Sequence, residues 1–370
     1  MSVLLKKQLF SGITQQELVE QLEAKKKCKN KLPTWFNTAQ IYYPNKLNIE
    51  QTSSEQTAKY KANLVAGKLL LDTTGGLGVD SYFFAQKIDA IIHCELDKKL
   101  SKIASHNAQK LALKNITFHA TDGLQFLYNS DEKFDWVYSD PSRRNTIKEK
   151  VFLLEDCNPN IPKHLDQIFK KTQNLLLKTS PIYDIQQGLR ELKFVKEIHI
   201  VAVQNEVKEL LWILEKGYTA TPIVKTSNLI KEQDQTFDFN ISKEKEQSAH
   251  LSQPLKYLYE PNTAILKAGA FKLVGNHFSI FKLHEHSHLY TSEKLIDFPG
   301  RRFKIESSIP YNKKALLNLK LKKANITTRN FPESVASIRK KHNIKDGGQD
   351  YLFFSTNLNE QRLVIHCHKV

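Results

Sequence analysis

The stretch Leu69–Asp80, LLLDTTGGLGVD, contains the clearest indication of the fold of this chain. Three leucines followed by Asp72 are typical of a buried parallel strand, and a helical pattern starts at Ser81 after a glycine-rich turn. Glycines let the backbone approach a ligand closely, and the start of a helix presents free N–H groups. The order strand, glycine turn, helix therefore predicts a site for a nucleotide-type ligand, although a tight turn without a ligand remains the alternative for this stretch alone.

Three further strand-like runs also end at polar residues. The runs and the residues that follow them are Ala90–Cys94 with Glu95, Ile116–His119 with Asp122 and Gly123, and Phe134–Ser139 with Asp140. Ligands of open α/β sheets bind outside the carboxyl ends of the strands, so we expect these polar residues to form one constellation with the glycine turn.

The turn differs from a dinucleotide fingerprint. Asp72, Gly76 and Gly78 fall at the spacing D-x-x-x-G-x-G, which resembles motif I of class I S-adenosylmethionine (SAM) dependent methyltransferases. The resemblance implies that the turn wraps the methionine end of SAM, that the Glu95 carboxylate accepts both ribose hydroxyls, and that Asp122 lies near the adenine. The predicted SAM-binding residues are Asp72, Thr74, Gly75, Gly76, Gly78, Asp80, Glu95, Leu96, Asp122 and Gly123.

The fourth strand leads into a loop with candidate catalytic residues. Asp140-Pro141 stands where amino-methylating nucleic-acid enzymes carry an acid or amide followed by prolines and an aromatic, which hold and stack the target base. Here Ser142 and Arg143 replace the second proline and the aromatic. We expect Asp140, Pro141 and Arg143 to be catalytic; Arg143 and Arg144 form either a phosphate clamp or a surface ion pair. The sulfonium of SAM is already activated, so direct in-line transfer without a covalent enzyme intermediate is expected.

Composition limits the remaining possibilities. A chain of 370 residues predicts two or three domains, and 40% hydrophobic with 25% charged residues is typical of a globular protein. No run of 18 apolar residues and no signal-peptide pattern is present, so we expect a cytoplasmic protein without a membrane segment. The four cysteines include no C-x-x-C pair, which argues against a disulfide framework and a zinc site.

Positive charge is concentrated near the C-terminus. The net charge is +16, and residues 299–370 hold 15 Lys or Arg against 5 Asp or Glu. Such a segment predicts a surface that binds a polyanion such as RNA, with a merely solvated basic face as the alternative.

Flanking segments complete the predicted architecture. Helices are predicted at Thr14–Lys26, capped by Thr14, and within Gln51–Gly67, where serine hydroxyls either reach the SAM carboxylate or only cap the helix. Phe194–Val203 and Val207–Leu214 are separated by three residues, so we expect them to pair antiparallel. Thr226–Gln253 predicts an outer strand or hairpin followed by a domain boundary.

Two histidine patterns are weighed as metal sites. His284, His286 and His288 alternate, and we interpret them as one face of a solvent-exposed strand rather than as ligands. His366-Cys367-His368 is interpreted in the same way. No metal is therefore predicted.

Five segments together resemble one bacterial family, in which a class I methyltransferase fold carries a ferredoxin-like domain and a C-terminal THUMP-like domain. The segments are DTTGGLGVDS, SDPSRR, EPNTAILKAGAFK, HLYTSEKLIDFPGR and ITTRNFPESVASIRKKHNIKDGGQDYLF. The resemblance implies an α/β protein with a Rossmann-like sheet of seven strands, the last one antiparallel, and two small α+β domains. The predicted domains are a helical segment at 1–66, the methyltransferase domain at 67–253, the ferredoxin-like domain at 254–298 and the basic THUMP-like domain at 299–370.

True THUMP domains recognise structured RNA, so the resemblance implies methylation of a base in tRNA or rRNA, bound through residues 299–370. Two alternatives remain. One is a SAM-binding RNA-recognition protein without turnover, and the other is a small-molecule or protein methyltransferase.

Overall fold

The computed structural model describes residues 14–142 and 153–370. The chain divides into two compact units. Unit 1 contains the described residues of Met1–Ile198 with Lys208–Ala220, and unit 2 contains His199–Val207 with Thr221–Val370. Among the described residues, no helix combines the length and apolar composition that crossing a membrane requires.

The strands around the glycine turn form a largely parallel sheet. They are β1 (Gly67–Asp72), β2 (Ile88–Cys94), β3 (Ile116–His119), β4 (Phe134–Ser139), β5 (Thr172–Thr179), β6 (Val195–Val203) and β7 (Glu206–Glu215). β1 pairs in parallel with β2 and β4, β2 with β3, and β4 with β5. β7 runs antiparallel to β5, which confirms the prediction of a mainly parallel sheet closed by an antiparallel strand.

The order of these seven strands is β3-β2-β1-β4-β5-β7-β6. β6 and β7 are joined by Gln204 and Asn205, whose φ angles of 50° and 64° suit a two-residue type I′ turn. The hydrogen-bonded sheet has nine strands, two more than predicted, because β8 (Ile223–Leu229) and β9 (Gln235–Asn240) follow β6 in the order. These two strands form an antiparallel hairpin, which is one of the two arrangements predicted for Thr226–Gln253, and β8 begins three residues earlier.

Helices flank the parallel strands. They are α1 (Gln15–Lys31), α2 (Pro33–Asn37), α3 (Lys46–Gln51), α4 (Glu55–Ala62), α5 (Val79–Phe84), α6 (Lys98–Lys110), α7 (Gly123–Asn129), α8 (Ile161–Ile168) and α9 (Ile185–Glu191). Thr14 caps α1 by accepting a hydrogen bond from the backbone N–H of Glu17, which confirms the predicted cap. Ser54 caps α4 in the same way, by accepting a hydrogen bond from the backbone N–H of Thr57.

The rest of unit 2 is a second sheet with helices. Its elements are α10 (Lys243–Glu246), β10 (Tyr257–Pro261), α11 (Thr263–Ala268), α12 (Phe271–His277), β11 (Phe281–Lys282), β12 (Tyr290–Ser292), β13 (Gly300–Pro310), α13 (Lys313–Asn318), β14 (Asn325–Arg329), α14 (Val335–His342), β15 (Asp350–Thr356) and β16 (Arg362–Lys369). The strand order is β11-β12-β10-β13-β16-β15-β14. Strands from 254–298 and 299–370 thus share one sheet, joined where β10 pairs antiparallel with β13.

One core supports this second sheet. Leu258 and Leu283 pack with Phe303, Phe353 and Ile365, so residues from both predicted C-terminal domains are buried together. The long strand β13 is not predicted from the sequence, because its charged outer face interrupts the apolar pattern. The predicted strand through the three alternating histidines is wrong. Residues 283–288 form a turn in which His284 is buried and His286 is exposed.

Candidate functional site

Asp72 holds the glycine turn in place through two hydrogen bonds. One carboxylate oxygen accepts a hydrogen bond from the backbone N–H of Thr74 at 3.1 Å, and the other accepts one from the Ser81 hydroxyl at 2.6 Å. Burial raises the pKa of Asp72 to about 7, and these two hydrogen bonds oppose the shift. Asp72 therefore links the end of β1 to α5 and shapes the turn.

The glycines are required by backbone geometry and by close packing. Gly76 and Gly78 have φ angles of 56° and 81°, in the left-handed region that favours glycine. A Cβ on Gly75 would lie 2.1 Å from the buried His93 ring, and a Cβ on Gly123 would lie 2.3 Å from the carbonyl oxygen of Thr73. These contacts keep the turn tight against β2 and allow α7 to start directly beside β1.

Two acids on neighbouring strand ends complete this edge of the sheet. The Glu95 carboxylate accepts hydrogen bonds from the backbone N–H groups of Gly76, at 2.9 Å, and Asp97, at 2.8 Å. Asp122 caps α7 by accepting from the N–H groups of Leu124 and Gln125, both at 2.9 Å. Each carboxylate oxygen has a second lone pair, so both acids retain acceptor capacity toward a ligand.

A cavity of about 260 Å³ opens at this edge of the sheet. It is lined by Thr73, Thr74, Glu95, Leu96, Asp122, Gly123, Leu124, Asp140, Ser142, Asn158 and Pro159. Six predicted site residues are thus brought together, including Leu96, whose side chain is 64% exposed. The structure does not bring Asp72, Gly75, Gly76, Gly78, Asp80 or Pro141 into this lining, and Arg143 lies outside the described residues, as does Arg144.

Asp140 is held in place by two neighbours. Its backbone N–H donates to the Thr74 hydroxyl at 2.7 Å, and its Oδ2 accepts from the ammonium of Lys178 at 2.5 Å. Burial by itself would lower the pKa of Lys178, but the carboxylates of Asp140, Glu209 and Asp80 raise it above the ordinary value. Lys178 therefore stays a cation and fixes one oxygen of Asp140.

A second buried lysine lies behind the glycine turn. The ammonium of Lys61, which is fully buried, is 2.7 Å from Glu209 and 3.2 Å from Asp80. Asp80 also accepts hydrogen bonds from the hydroxyls of Ser53, at 2.9 Å, and Tyr138, at 2.7 Å. Burial alone would raise the pKa of Asp80, but Lys61 and Lys178 lower it. The structure thus places Asp80 and Ser53 in a buried ionic cluster.

The sequence analysis does not predict a role for Lys61 or Lys178, nor the presence of Asn158 and Pro159 in the lining of the cavity. A signal for Lys178 exists, since it interrupts the apolar run NLLLKT near the carboxyl end of β5. A lysine in a buried strand requires a partner, and the acids at neighbouring strand ends are the available ones.

The strand order and the acids at the strand ends define a class I SAM-dependent methyltransferase domain. A proposed methyltransferase of Porphyromonas gingivalis W83, known from its crystal structure, is 31% identical, with a TM-score of 0.91, over 100% of this chain and 94% of that chain. Residues 257–299 match a protein-family model described as a ferredoxin-like domain, and residues 300–369 match one described as THUMP domain-like.

Two curated relatives carry related names. An S-adenosylmethionine-dependent methyltransferase of Mycobacterium tuberculosis H37Rv, named as uncharacterized, is 20% identical over 64% of this chain and 62% of its own length. The ribosomal RNA small subunit methyltransferase J of Francisella tularensis subsp. novicida is 29% identical over 31% of this chain and 52% of its own length. This chain belongs to the family of SAM-dependent methyltransferases that carry ferredoxin-like and THUMP-like C-terminal segments.

Proposed function

We propose that this protein transfers a methyl group from SAM to a base in structured RNA, such as tRNA or rRNA. The observation that carries the proposal is the cavity in which Glu95 and Asp122 lie together with Asp140. One small space thus joins the predicted cofactor side to the predicted acceptor side. Proximity of this kind is the main contribution such an enzyme makes, because the sulfonium of bound SAM supplies an already activated methyl group.

Each residue has its own role in this proposal. Glu95 would hold the two ribose hydroxyls of SAM, Asp122 and Leu96 would contact its adenine, and the glycine turn would accommodate its methionine end. On the acceptor side, Lys178 occupies Oδ2 of Asp140, which leaves Oδ1 to accept an N–H from an exocyclic base amine. That hydrogen bond would orient the acceptor amine. Bound SAM would supply the methyl group for in-line transfer, and the amine would lose its extra proton to solvent.

RNA as the substrate is supported by the lysines of the C-terminal segment. Eight exposed lysines lie on or between α13 and α14 and in the loop after α14: Lys313, Lys314, Lys320, Lys322, Lys323, Lys340, Lys341 and Lys345. Lys341 pairs with Glu333, whereas the other seven make no ion pair within the described part of the chain. Unpaired ammonium groups are available to phosphates, whose binding releases counterions.

Methyl transfer is tested with tritiated SAM and two unmodified transcripts, a tRNA pool and small-subunit rRNA. We expect label in one of them. Asp140→Ala should cut turnover far more than SAM affinity, whereas Glu95→Ala should weaken SAM binding. Glu132→Ala, which changes an exposed acid of the same unit, is the matched control. Calorimetry with SAM separates the failures: binding without label in any RNA favours a protein without turnover, and label in protein or small molecules favours the other alternative.

RNA binding is tested by neutralising lysines rather than by truncating the chain, because removing residues 299–370 would remove β13 from the sheet in which it pairs with β10. Replacing Lys313, Lys314, Lys322 and Lys323 by glutamine should weaken RNA binding. The slope of the logarithm of the binding constant against the logarithm of the salt concentration should become shallower by about 0.7 to 0.9 for each lysine that contacts a phosphate. Equal changes in a control with glutamine at Lys26, Lys29, Lys87 and Lys114 would show that the effect is one of total charge only.

A further inference from the structure

Two histidines of β16 and an aspartate of β15 converge on one face of the second sheet. His366 and His368 are two residues apart, so their side chains share a face, and Asp350 lies directly opposite His368 in the antiparallel register. The Nε2 atoms of His366 and His368 are 2.7 Å and 3.1 Å from the same Oδ1 of Asp350. Within the part of the chain that the structure describes, this is the one group of three potential ligand atoms lying within 4.8 Å of one another.

We propose that Asp350, His366 and His368 bind one late first-row divalent cation, of the zinc class, independently of SAM. A set of two imidazoles and one carboxylate binds such ions in preference to magnesium or calcium, which prefer oxygen ligands. Bonds of about 2.0–2.1 Å in a tetrahedral arrangement place ligand atoms about 3.3 Å apart, so the distances of the His366 and His368 Nε2 atoms from Oδ1 of Asp350 would widen by about 0.6 Å and about 0.2 Å. The fourth position is left to water.

The hydrogen bonds of the group favour binding. Both imidazoles bond to Oδ1 of Asp350, so the three ligand atoms already face one small space. The cation would take the place of the Nε2 protons in these bonds, and each neutral imidazole would then carry its single proton on Nδ1. In His368 this Nδ1–H would donate to Glu306, whose carboxylate lies 3.5 Å away. A carboxylate behind a ligating imidazole fixes its tautomer and raises its basicity, as in many metal sites.

The surroundings also restrict which residues take part. Cys367, between the two histidines, points into the opposite face and is fully buried in the core beside Phe303 and Phe353. Because its thiol faces the core, it does not compete as a ligand. His366 is 16% exposed and His368 48% exposed, so the group is open to an ion from solvent. The cation would link β15 to β16, two strands of the basic segment 299–370.

The test is calorimetric titration of untagged, chelator-stripped full-length protein with zinc chloride. We expect one zinc per chain with a dissociation constant in the micromolar range, and cobalt should give visible absorption typical of four-coordinate sites. His366→Asn and Asp350→Asn should each weaken binding at least tenfold. His250→Asn, an exposed histidine outside the group, should not. Far-ultraviolet circular dichroism checks that each variant is folded.

Two results would overturn the proposal. One is no saturable heat with zinc at 100-fold excess over the protein, and the other is unchanged zinc affinity in the His366→Asn, Asp350→Asn double variant. In either case the three side chains form only a hydrogen-bonded cluster. The zinc titration is interpreted without reference to SAM binding, which is measured separately in the same preparations. Failure of the proposed methyl transfer and failure of the zinc site are therefore distinguishable.

Discussion

Replacement of Lys178 by methionine removes the ammonium that pairs with Asp140 while keeping a side chain of similar length. Losing one partner of a fully buried ion pair costs about 3 to 5 kcal/mol, whereas an exposed pair contributes about 0.2 to 1 kcal/mol. The Lys178 side chain is 12% exposed and that of Asp140 is 34% exposed, so water partly screens the carboxylate that is left. We therefore expect the free energy of unfolding to fall by about 1 to 3 kcal/mol, between these limits.

The assay uses the position of the tryptophans. All three, Trp35, Trp136 and Trp212, lie in unit 1, so tryptophan fluorescence during urea unfolding reports on the unit that contains the site. Lys178→Met, Asp140→Asn and the double variant form a cycle whose coupling energy isolates the pair. A coupling of about 1 to 2 kcal/mol is expected for a pair that is only partly screened.

The matched control is an exposed pair in the same unit. Lys196 and Glu215 are 2.6 Å apart, and each side chain is 40% exposed. Lys196→Met should cost less than about 1 kcal/mol. A loss for Lys178→Met no larger than that for Lys196→Met, or a coupling energy of zero in the cycle, would refute the idea that Lys178 fixes Asp140.

Three further outcomes are expected. Glu95→Ala should weaken SAM binding by about 1 to 3 kcal/mol in calorimetry; unaltered affinity would show that Glu95 does not bind the ribose. Gly123→Ala should lower the unfolding free energy by about 1 to 3 kcal/mol, because the new methyl meets backbone at Thr73 that has little room to move; wild-type stability would contradict that packing. Asp72 keeps its proton to about pH 7 when folded but loses it near pH 4 when unfolded, so stability should fall by about 1.4 kcal/mol per pH unit across that window. Asp72→Asn should flatten this slope in urea unfolding at pH 4.5 to 8, and equal slopes would show that Asp72 does not cause it.

The edge of the sheet that forms the site is predictable because its signals are local. Glycines at 76 and 78 reflect a backbone conformation that other residues adopt only with strain, and Glu95, Asp122 and Asp140 each follow an apolar run. Parallel strands bring their carboxyl ends to one edge, so strand assignment is enough to gather these acids. Their individual roles toward SAM remain predictions.

Residues whose partners lie far away in sequence could not be assigned in this way. Asp80 has the position of a cofactor residue in the motif, yet its environment is set by Lys61 and Tyr138, which come from α4 and β4. His366 and His368 gain a meaning only when β15 places Asp350 beside them. A period-two pattern states which side chains share a face, but not which strand lies next to that face.

The parallel sheet, the glycine turn, the acids that follow the strands and the basic C-terminal segment are all predictable from the amino-acid sequence, because periodicity, backbone strain and charge are properties of neighbouring residues. Three features become visible only in the folded chain: strands of the two C-terminal segments share one sheet, Lys178 holds Asp140, and Asp80 belongs to a buried ionic cluster. These outcomes depend on strand pairing and on which charges are buried together, and both are set when distant parts of the chain meet.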